Sequence, residues 1–336
     1  MKRFLSAKAL GIFGGVVAVL LIAVGARVWL HLKYVDAPLQ LDRDYILMVE
    51  QGSNLRRVLN RLESEGIIPS ALDLRVFLRL NKEQVRLQAG EYLLTANLSG
   101  RTLLQKFARG DMVYHQVQLI EGWTLDQALA VIQQHEAVKS VLQDATDLQE
   151  QLNLENPPEG QFFPDTYRFV RGTTDLELLR QANQLMTSEL ENAWAERDAG
   201  LPYATPYELL TMASIIEKET GLASERTQIS GVFVRRLQQG MRLQTDPTVI
   251  YGVGRAFDGN LTRLHLQTDT PWNTYTREGL PPTPIALPGR ASLLASAHPE
   301  NGNALFFVSK GDGSHQFSAT LQEHNDAVRR YQQGGR

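Results

Sequence analysis

Uncharged, mostly apolar residues run from Ala9 to Ala26, 18 positions without Asp, Glu, Lys or Arg. Arg27 interrupts the run, but Val28, Trp29 and Leu30 extend it, and an arginine there can snorkel toward an interface. A bilayer-spanning helix needs about 20 such residues, so the pattern predicts a transmembrane helix over 9–30. Lys2, Arg3 and Lys8 precede it. Basic flanks stay cytoplasmic, which predicts a cytoplasmic tail over 1–8 and an exterior position for the rest. Ala23-Val24-Gly25 imitates the exit of a cleaved signal, but the apolar core is longer than such a signal needs.

A short linker containing Pro38 is expected over 31–42. Beyond it the period alternates between strand and helix. Tyr45 to Val49 reads as a strand, and Leu55, Val58, Leu59 and Leu62 fall on one face of a helix over 54–65. Gly66 stops that helix. A second helix is expected over 71–80, a strand over 90–94 and a helix over 101–108 closed by Gly110. A weak internal repeat links Val49-Glu50-Gln51-Gly52-Ser53-Asn54-Leu55 with Leu119-Ile120-Glu121-Gly122-Trp123-Thr124-Leu125. In both, a strand runs into an acid and a glycine, and a helix starts at the leucine. Chance likeness between ordinary strand-to-helix turns is the plain alternative.

The polar, proline-containing stretch 150–160 is the best domain boundary in the sequence. Leu176, Leu179, Met186, Leu190 and Trp194 then mark a long amphipathic helix. Thr205-Pro206-Tyr207-Glu208 supplies a cap, a first-turn proline and a capping-box acid, and Gly221 is the expected stop. The arrangement as a whole predicts an α+β fold.

Charge changes the picture only in part. Residues 1–40 carry five basic groups and one acid, a net +4, which leaves −7 of the total −3 for the remainder. An acidic exterior without a basic stripe argues against nucleic acid as a partner. There is no cysteine, so disulfides and thiolate chemistry are excluded. The seven histidines form no His-Glu-x-x-His pattern, and no Gly-x-Ser-x-Gly elbow occurs; neither a metal nor a cofactor is expected.

The capped helix ends in Ala213-Ser214-Ile215-Ile216-Glu217-Lys218-Glu219. Apolar surroundings and a helix C-terminus both penalise a carboxylate. A carboxyl kept protonated near neutrality can give a proton to a leaving oxygen. Glu217 is therefore the leading candidate acid. Pairing with Arg226 or Lys218 is the ordinary alternative. Turning about 100° per residue, the helix brings Glu217 and Glu219 equally to the edge of the apolar arc, and Glu225 is a third candidate.

Downstream, Gln244, Thr245 and Asp246 cluster ahead of Pro247, with Asp246 read as the cap of a short helix. Trp272-Asn273-Thr274-Tyr275 leads into the proline-dense run from Gly279 to Gly289, which reads as a rigid loop. Such loops suit sugar binding, and a purely structural wrap is the alternative.

These pieces resemble the bacterial endolytic murein transglycosylases, the YceG-like family. The likeness rests on Gly160-Gln161-Phe162-Phe163-Pro164-Asp165-Thr166-Tyr167, Ala213 to Thr220, Val232 to Leu237, Met241 to Gly252, Asn273-Thr274-Tyr275, Gly279 to Pro282, Phe306-Phe307-Val308 and His315-Gln316-Phe317-Ser318. Gln161 departs from it, standing where a larger apolar residue is expected. The resemblance implies an inner-membrane anchor, a LysM-like peptidoglycan-binding region over 43–150 and a catalytic domain over 155–336. It implies periplasmic cleavage of the β-1,4 bond between N-acetylmuramic acid and N-acetylglucosamine, with 1,6-anhydro-muramyl ends. Glu217 occupies the family's catalytic position. Gln244, Thr245, Asp246, Asn273 and Tyr275 are expected to place substrate, and Glu219 and Glu225 to orient or pair. Penicillin-binding synthases are the implied partners. A lysozyme-type hydrolase, with Asp246 or Glu225 activating water, and a non-enzymatic wall-binding scaffold remain the rivals.

Overall fold

The computed structural model describes residues 7–333, with side chains described within 15–332. Lys2 and Arg3, two of the charges that orient the N-terminus, lie outside the described residues, as do residues 334–336. The chain divides into two compact units, up to His115 and from Gln116 onward. The architecture is mixed α and β, with three two-stranded sheets among the described residues.

The first unit holds α1 (Ala7–Asp36), β1 (Tyr45–Val49), α2 (Leu55–Ser64), α3 (Ala71–Leu80), β2 (Gly90–Leu94) and α4 (Gly100–Arg109). From Gly15 to Asp36, α1 is long and apolar enough to cross a membrane. The stretch read as a linker is helical to Asp36, and Val35 and Leu39 enter the core of this unit. Strands β1 and β2 pair antiparallel with Leu47 opposite Tyr92. The helices start where their caps dictate: the Asn54, Ser70 and Ser99 side chains each accept from an amide three residues on. Tyr92 and Phe107 meet edge to face at 5.0 Å in the centre of the core, beside Leu47, Leu59 and Leu103.

The second unit opens with β3 (His115–Gln118), α5 (Leu125–Gln134), α6 (Ala145–Leu152), β4 (Thr166–Phe169) and α7 (Asp175–Glu196). Next come α8 (Pro206–Glu219), α9 (Arg226–Gln238), α10 (Asp246–Val253), α11 (Arg263–Gln267) and α12 (Arg290–Ala297). Strands β5 (Phe306–Ser309) and β6 (His315–Ser318), then α13 (Leu321–Val328), complete it. β3 pairs with β4, and β5 with β6 antiparallel. The polar stretch 150–160 does not divide this unit. Leu119, Leu129 and Leu148 before it share one core with Phe162, Tyr167 and Leu179 after it. Hydrophobic burial is continuous across the junction, so the compact units part earlier, at His115.

The internal repeat has a structural counterpart. Gly52 and Gly122 both adopt left-handed backbone, at φ 79° and 78°, and Leu55 and Leu125 are each the first helical residue. Only glycine takes that turn without strain.

Two local expectations change. Glu208 closes no reciprocal box on Thr205: Thr205 caps the Glu208 amide, while the Glu208 carboxylate accepts from the Ala204 amide one residue further out. α8 does not end on a left-handed glycine either; its C-cap is Thr220 in extended backbone, which makes Gly221 unnecessary as a stop.

Candidate active site at the end of α8

The middle of α8 is buried, every residue from Leu209 to Ile216 packing inward, while the first turn, Pro206 to Glu208, is half-buried. That leaves the last turn to emerge at the surface of the unit. Glu217 sits there with a side chain only 6% exposed. Its Oε2 accepts from the Gly289 amide at 3.0 Å and from Ser292 Oγ at 2.7 Å. Gly289 is the N-cap of α12 and Ser292 lies in its first turn. The carboxyl therefore stands between the C-terminus of α8 and the N-terminus of α12, and the two helix ends act on a negative charge with opposite sign. Arg226, the first residue of α9, approaches Oε1 at 3.7 Å and is 12% exposed, so the pairing foreseen with Arg226 is real. Lys218 goes elsewhere: Nζ donates to the Gly122 carbonyl at 3.0 Å.

A second carboxyl stands beside the first. Glu121 precedes Gly122 in the repeated turn, and its Oε1 lies against Gly289, 1.9 Å from where a Cβ would be. Burial and the nearby Glu217 charge push the Glu121 carboxyl above its usual range, and Arg226 opposes them. The turn is held to the proline-dense loop by paired backbone bonds: Gly122 donates to the Leu287 carbonyl at 2.9 Å and Leu287 to that of Trp123 at 2.7 Å. Sequence periodicity offered one signal for Glu121, its place in the repeat, but nothing there ties it to Gly289.

The other candidates surround the same helix end. Thr245 Oγ1 donates to Glu219 Oε1. Burial pushes the Glu219 carboxyl up to about 7, with the Thr245 bond lowering it and the Asp246 charge raising it. Tyr275 donates to Asp246 Oδ1 at 2.6 Å. The N-cap of α10 is Thr245 rather than Asp246, which is already helical and turns its carboxylate to Tyr275 instead. Gln244 is exposed, in left-handed backbone at φ 50°, with its amide on the Thr274 carbonyl. Glu225 is buried and accepts from the His315 amide at 2.9 Å and pairs with its Nδ1 at 2.7 Å. Asn273 is fully buried: Nδ2 donates to the His265, Leu266 and Thr268 carbonyls, and Oδ1 accepts from the Tyr275 amide. It shapes the loop that presents Tyr275, and its own amide is spent on backbone. Gln161 anchors the turn before it, donating to the Asn156 and Pro157 carbonyls.

Farther along the motif, Glu159 is buried. It accepts from the Leu125 and Gly160 amides and from Tyr251 Oη, yet desolvation outweighs all three and pushes it up to about 7. Among the described residues no group of three His, Asp or Glu is arranged to hold a metal ion.

The raised Glu219 value has a consequence for stability. A carboxyl with a folded value of about 7 against a usual 4.5 retains protons in the folded state that the unfolded chain releases. Its favourable contribution is present below about 4.5 and is lost as pH rises toward about 7. Glu219→Gln keeps an acceptor for Thr245 and carries no charge to desolvate. It should shrink the decline in unfolding free energy over that window, measured by urea titration at each pH. Parallel wild-type and variant curves would contradict the desolvation account.

The residues matched by the YceG-like family span 47–330. An endolytic murein transglycosylase of Bacillus subtilis (strain 168) is 32% identical over 303 residues, covering 84% of this chain and 83% of that protein. An endolytic murein transglycosylase of Streptococcus pneumoniae serotype 2 is 27% identical over 314 residues, covering 83% of this chain and 56% of that longer protein. The crystal structure of a YceG-like protein from Listeria monocytogenes superposes with a TM-score of 0.53 at 27% identity, covering 84% of this chain and 98% of the other. By the extent of the family match and by the identity to its Bacillus relative, this chain belongs to the YceG-like family.

Proposed function

We propose that this protein is an endolytic lytic transglycosylase, a lyase that cuts the β-1,4 bond between N-acetylmuramic acid and N-acetylglucosamine within peptidoglycan strands. The observation that carries the reading is the Glu217 carboxyl, fixed by the Gly289 amide and Ser292 hydroxyl at the end of a buried helix. The Bacillus and Streptococcus relatives, both named endolytic murein transglycosylases, support it.

Glu217 first gives its proton to the glycosidic oxygen as the bond to muramyl C1 breaks. The positive charge that develops on C1 and the ring oxygen is then met by the 6-hydroxyl of the same sugar. That hydroxyl forms the C1–O6 bond and returns its proton to Glu217, so one carboxyl serves as acid and then base. The product is a 1,6-anhydro-muramyl end, and no water is consumed. Asp246 and Tyr275, tied to each other beside Glu219, together with exposed Gln244, are the groups we assign to holding the glycan. Thr245, Asn273 and Glu225 keep those groups in position.

α1 supports a reading of the cellular setting. We read it as a single-pass inner-membrane anchor with a cytoplasmic N-terminus, the catalytic residues lying in the periplasm. The strand-turn-helix pieces between residue 43 and His115 are assigned to a LysM-like grip on glycan, ahead of a catalytic unit from Gln116 onward. Cutting strands within their length beside the membrane would release or end nascent strands near penicillin-binding synthases.

Glu121 favours one second reading. An exposed carboxyl next to the acid is what a lysozyme-type hydrolase uses to activate water or trap the sugar. The full-length protein in detergent, incubated with purified peptidoglycan, separates the two by mass analysis of the released fragments. Anhydro ends support transglycosylation; reducing ends would replace it with hydrolysis. Fragments absent from wild-type digests would leave a wall-binding scaffold.

Ser292→Ala tests the frame around the acid. It removes one of two donors to Glu217 Oε2 and should lower kcat by roughly 10- to 100-fold, since a hydrogen bond to a charged group contributes about 1.5–3 kcal/mol. An unchanged kcat in a steady-state assay would mean that Gly289 alone orients the carboxyl.

A further inference from the structure

The outer end of α1 is locked to the first unit without a spacer. The buried Asp73 carboxylate accepts from Arg27 Nη2 at 2.7 Å and pairs with His31 Nδ1 at 2.8 Å, its own side chain 4% exposed. One turn later, Arg101 Nε and Nη2 bind Asp36 at 2.8 and 3.1 Å. Val35, fully buried, completes the attachment. The start of α3 is thereby pinned at the height of Arg27 and His31.

That height is set by the bilayer. A hydrocarbon layer about 30 Å thick takes up roughly 20 helical residues, and the uncharged run of α1 ends at Ala26. Arg27, His31 and Lys33 then fall in the headgroup layer, and α3 with them. The free side of α3 suits such a place. Leu72 and Leu80 are 54% and 70% exposed and, with half-buried Val76, recur every four residues along one stripe. Arg75 and Arg79 flank that stripe. On α1, Trp29 and Leu32 are exposed as well. Exposed leucines in a row beside a spanning helix have an obvious cover, the lipid that the helix crosses.

Between the two helices lies an open groove of about 550 Å³. Val28, Leu32, Phe77 and Leu80 form its apolar part, and Arg27 and Arg101 also line it, each bonded to an aspartate through part of its guanidinium. Apolar walls with cationic edges match an acyl chain joined to a phosphate.

We propose that α3 rests in the headgroup layer of the bilayer crossed by α1, with an anionic phospholipid seated in the α1–α3 groove. The occupant is the membrane itself rather than a second protein. Cation and apolar stripe then act together: the leucines enter the acyl boundary while the arginines meet phosphates. The first unit lies on the membrane surface as a consequence, held by α3 as well as by α1. None of these residues touches Glu217, so the inference stands or falls apart from the catalytic reading.

The chain has no cysteine, so Leu72→Cys and Leu80→Cys each introduce one nitroxide site in the full-length protein. Both positions are exposed, and circular dichroism checks that the labelled chains keep their helices. In nanodiscs of phosphatidylethanolamine and phosphatidylglycerol in equal amounts, both labels should relax faster with oxygen than with a water-soluble nickel chelate. Relaxation dominated by the chelate at both sites would overturn the membrane seat, whatever partner covers the stripe in the cell. Headgroup-labelled phosphatidylglycerol should broaden the Leu80 label, and Arg101→Gln should weaken that broadening severalfold. Broadening that is absent, or indifferent to Arg101, would remove the lipid from the groove.

Discussion

Glu217→Gln should lower the rate of glycan-strand cleavage by about 10³-fold while the protein stays folded, because general acid–base groups contribute on the order of 10²–10⁴. The amide keeps the shape of the carboxyl, and its oxygen can still accept from Gly289 and Ser292. What it lacks is the proton to give and the oxygen to take one back. Arg226, 3.7 Å from Oε1, loses a charge partner, so a modest change in melting temperature is expected alongside the kinetic loss. The measurement is the initial rate of fragment release from purified peptidoglycan, with circular dichroism on the same preparations. A variant that retains most of its rate would pass the acid's role to Glu219 or Glu121, since Glu225 is already committed to His315.

Gly160→Ala should cost about 2–4 kcal/mol of stability, combining strain in left-handed backbone with overpacking. Gly160 has φ 79°, and a Cβ there would stand 2.3 Å from Pro284 Cβ and 3.2 Å from the Ala286 carbonyl. A proline ring and a backbone oxygen cannot step aside as the end of a flexible chain can. The strain would be felt where it matters, since Pro284 and Ala286 belong to the same loop as Leu287 and Gly289. Chemical denaturation should therefore show a lower midpoint, and cleavage should weaken at temperatures where the variant is still folded. A midpoint within experimental scatter of wild type would mean that the loop shifts freely and that the tight approach is incidental.

Much of the first unit is legible in the sequence because each element carries both a stripe and a stop. Leu55, Val58, Leu59 and Leu62 recur on one face, Asn54 begins the helix and Gly66 follows it, and the observed α2 lies within those limits. α6 escaped notice for the opposite reason: it buries only Leu148 and therefore shows no stripe, although Asp144 caps it. β4 is four residues long and alternates correctly, but it is too short to stand out from the motif around it.

In the site, residue type and neighbourhood led to Glu217, yet the helical wheel left Glu219 equal to it. The resemblance chose between them; in the structure they have different partners, Ser292 and Gly289 for Glu217 and Thr245 for Glu219, and those lie far along the chain. Asn273 has the chemistry of a ligand contact, but three backbone carbonyls claim its amide, a demand that no local pattern reveals. Glu121 is visible only as part of a repeat, where it stands opposite Gln51, one place beyond Glu50, and carries no sign of a special role.

The bonds that join Gly122 and Trp123 to Leu287 reach beyond catalysis, to how such a protein can be inherited and rearranged. A segment braced in this way to the loop beside Glu217 cannot be exchanged as a cassette without breaking those bonds. Residues up to His115 form one compact unit and those from Gln116 onward another, so a breakpoint there falls between units. A breakpoint near residue 155 would strip Glu159 of the Leu125 amide, Lys218 of its carbonyl and the proline-dense loop of its brace. The second copy of the repeat is thus bound to the helix that carries Glu217 and must descend together with it.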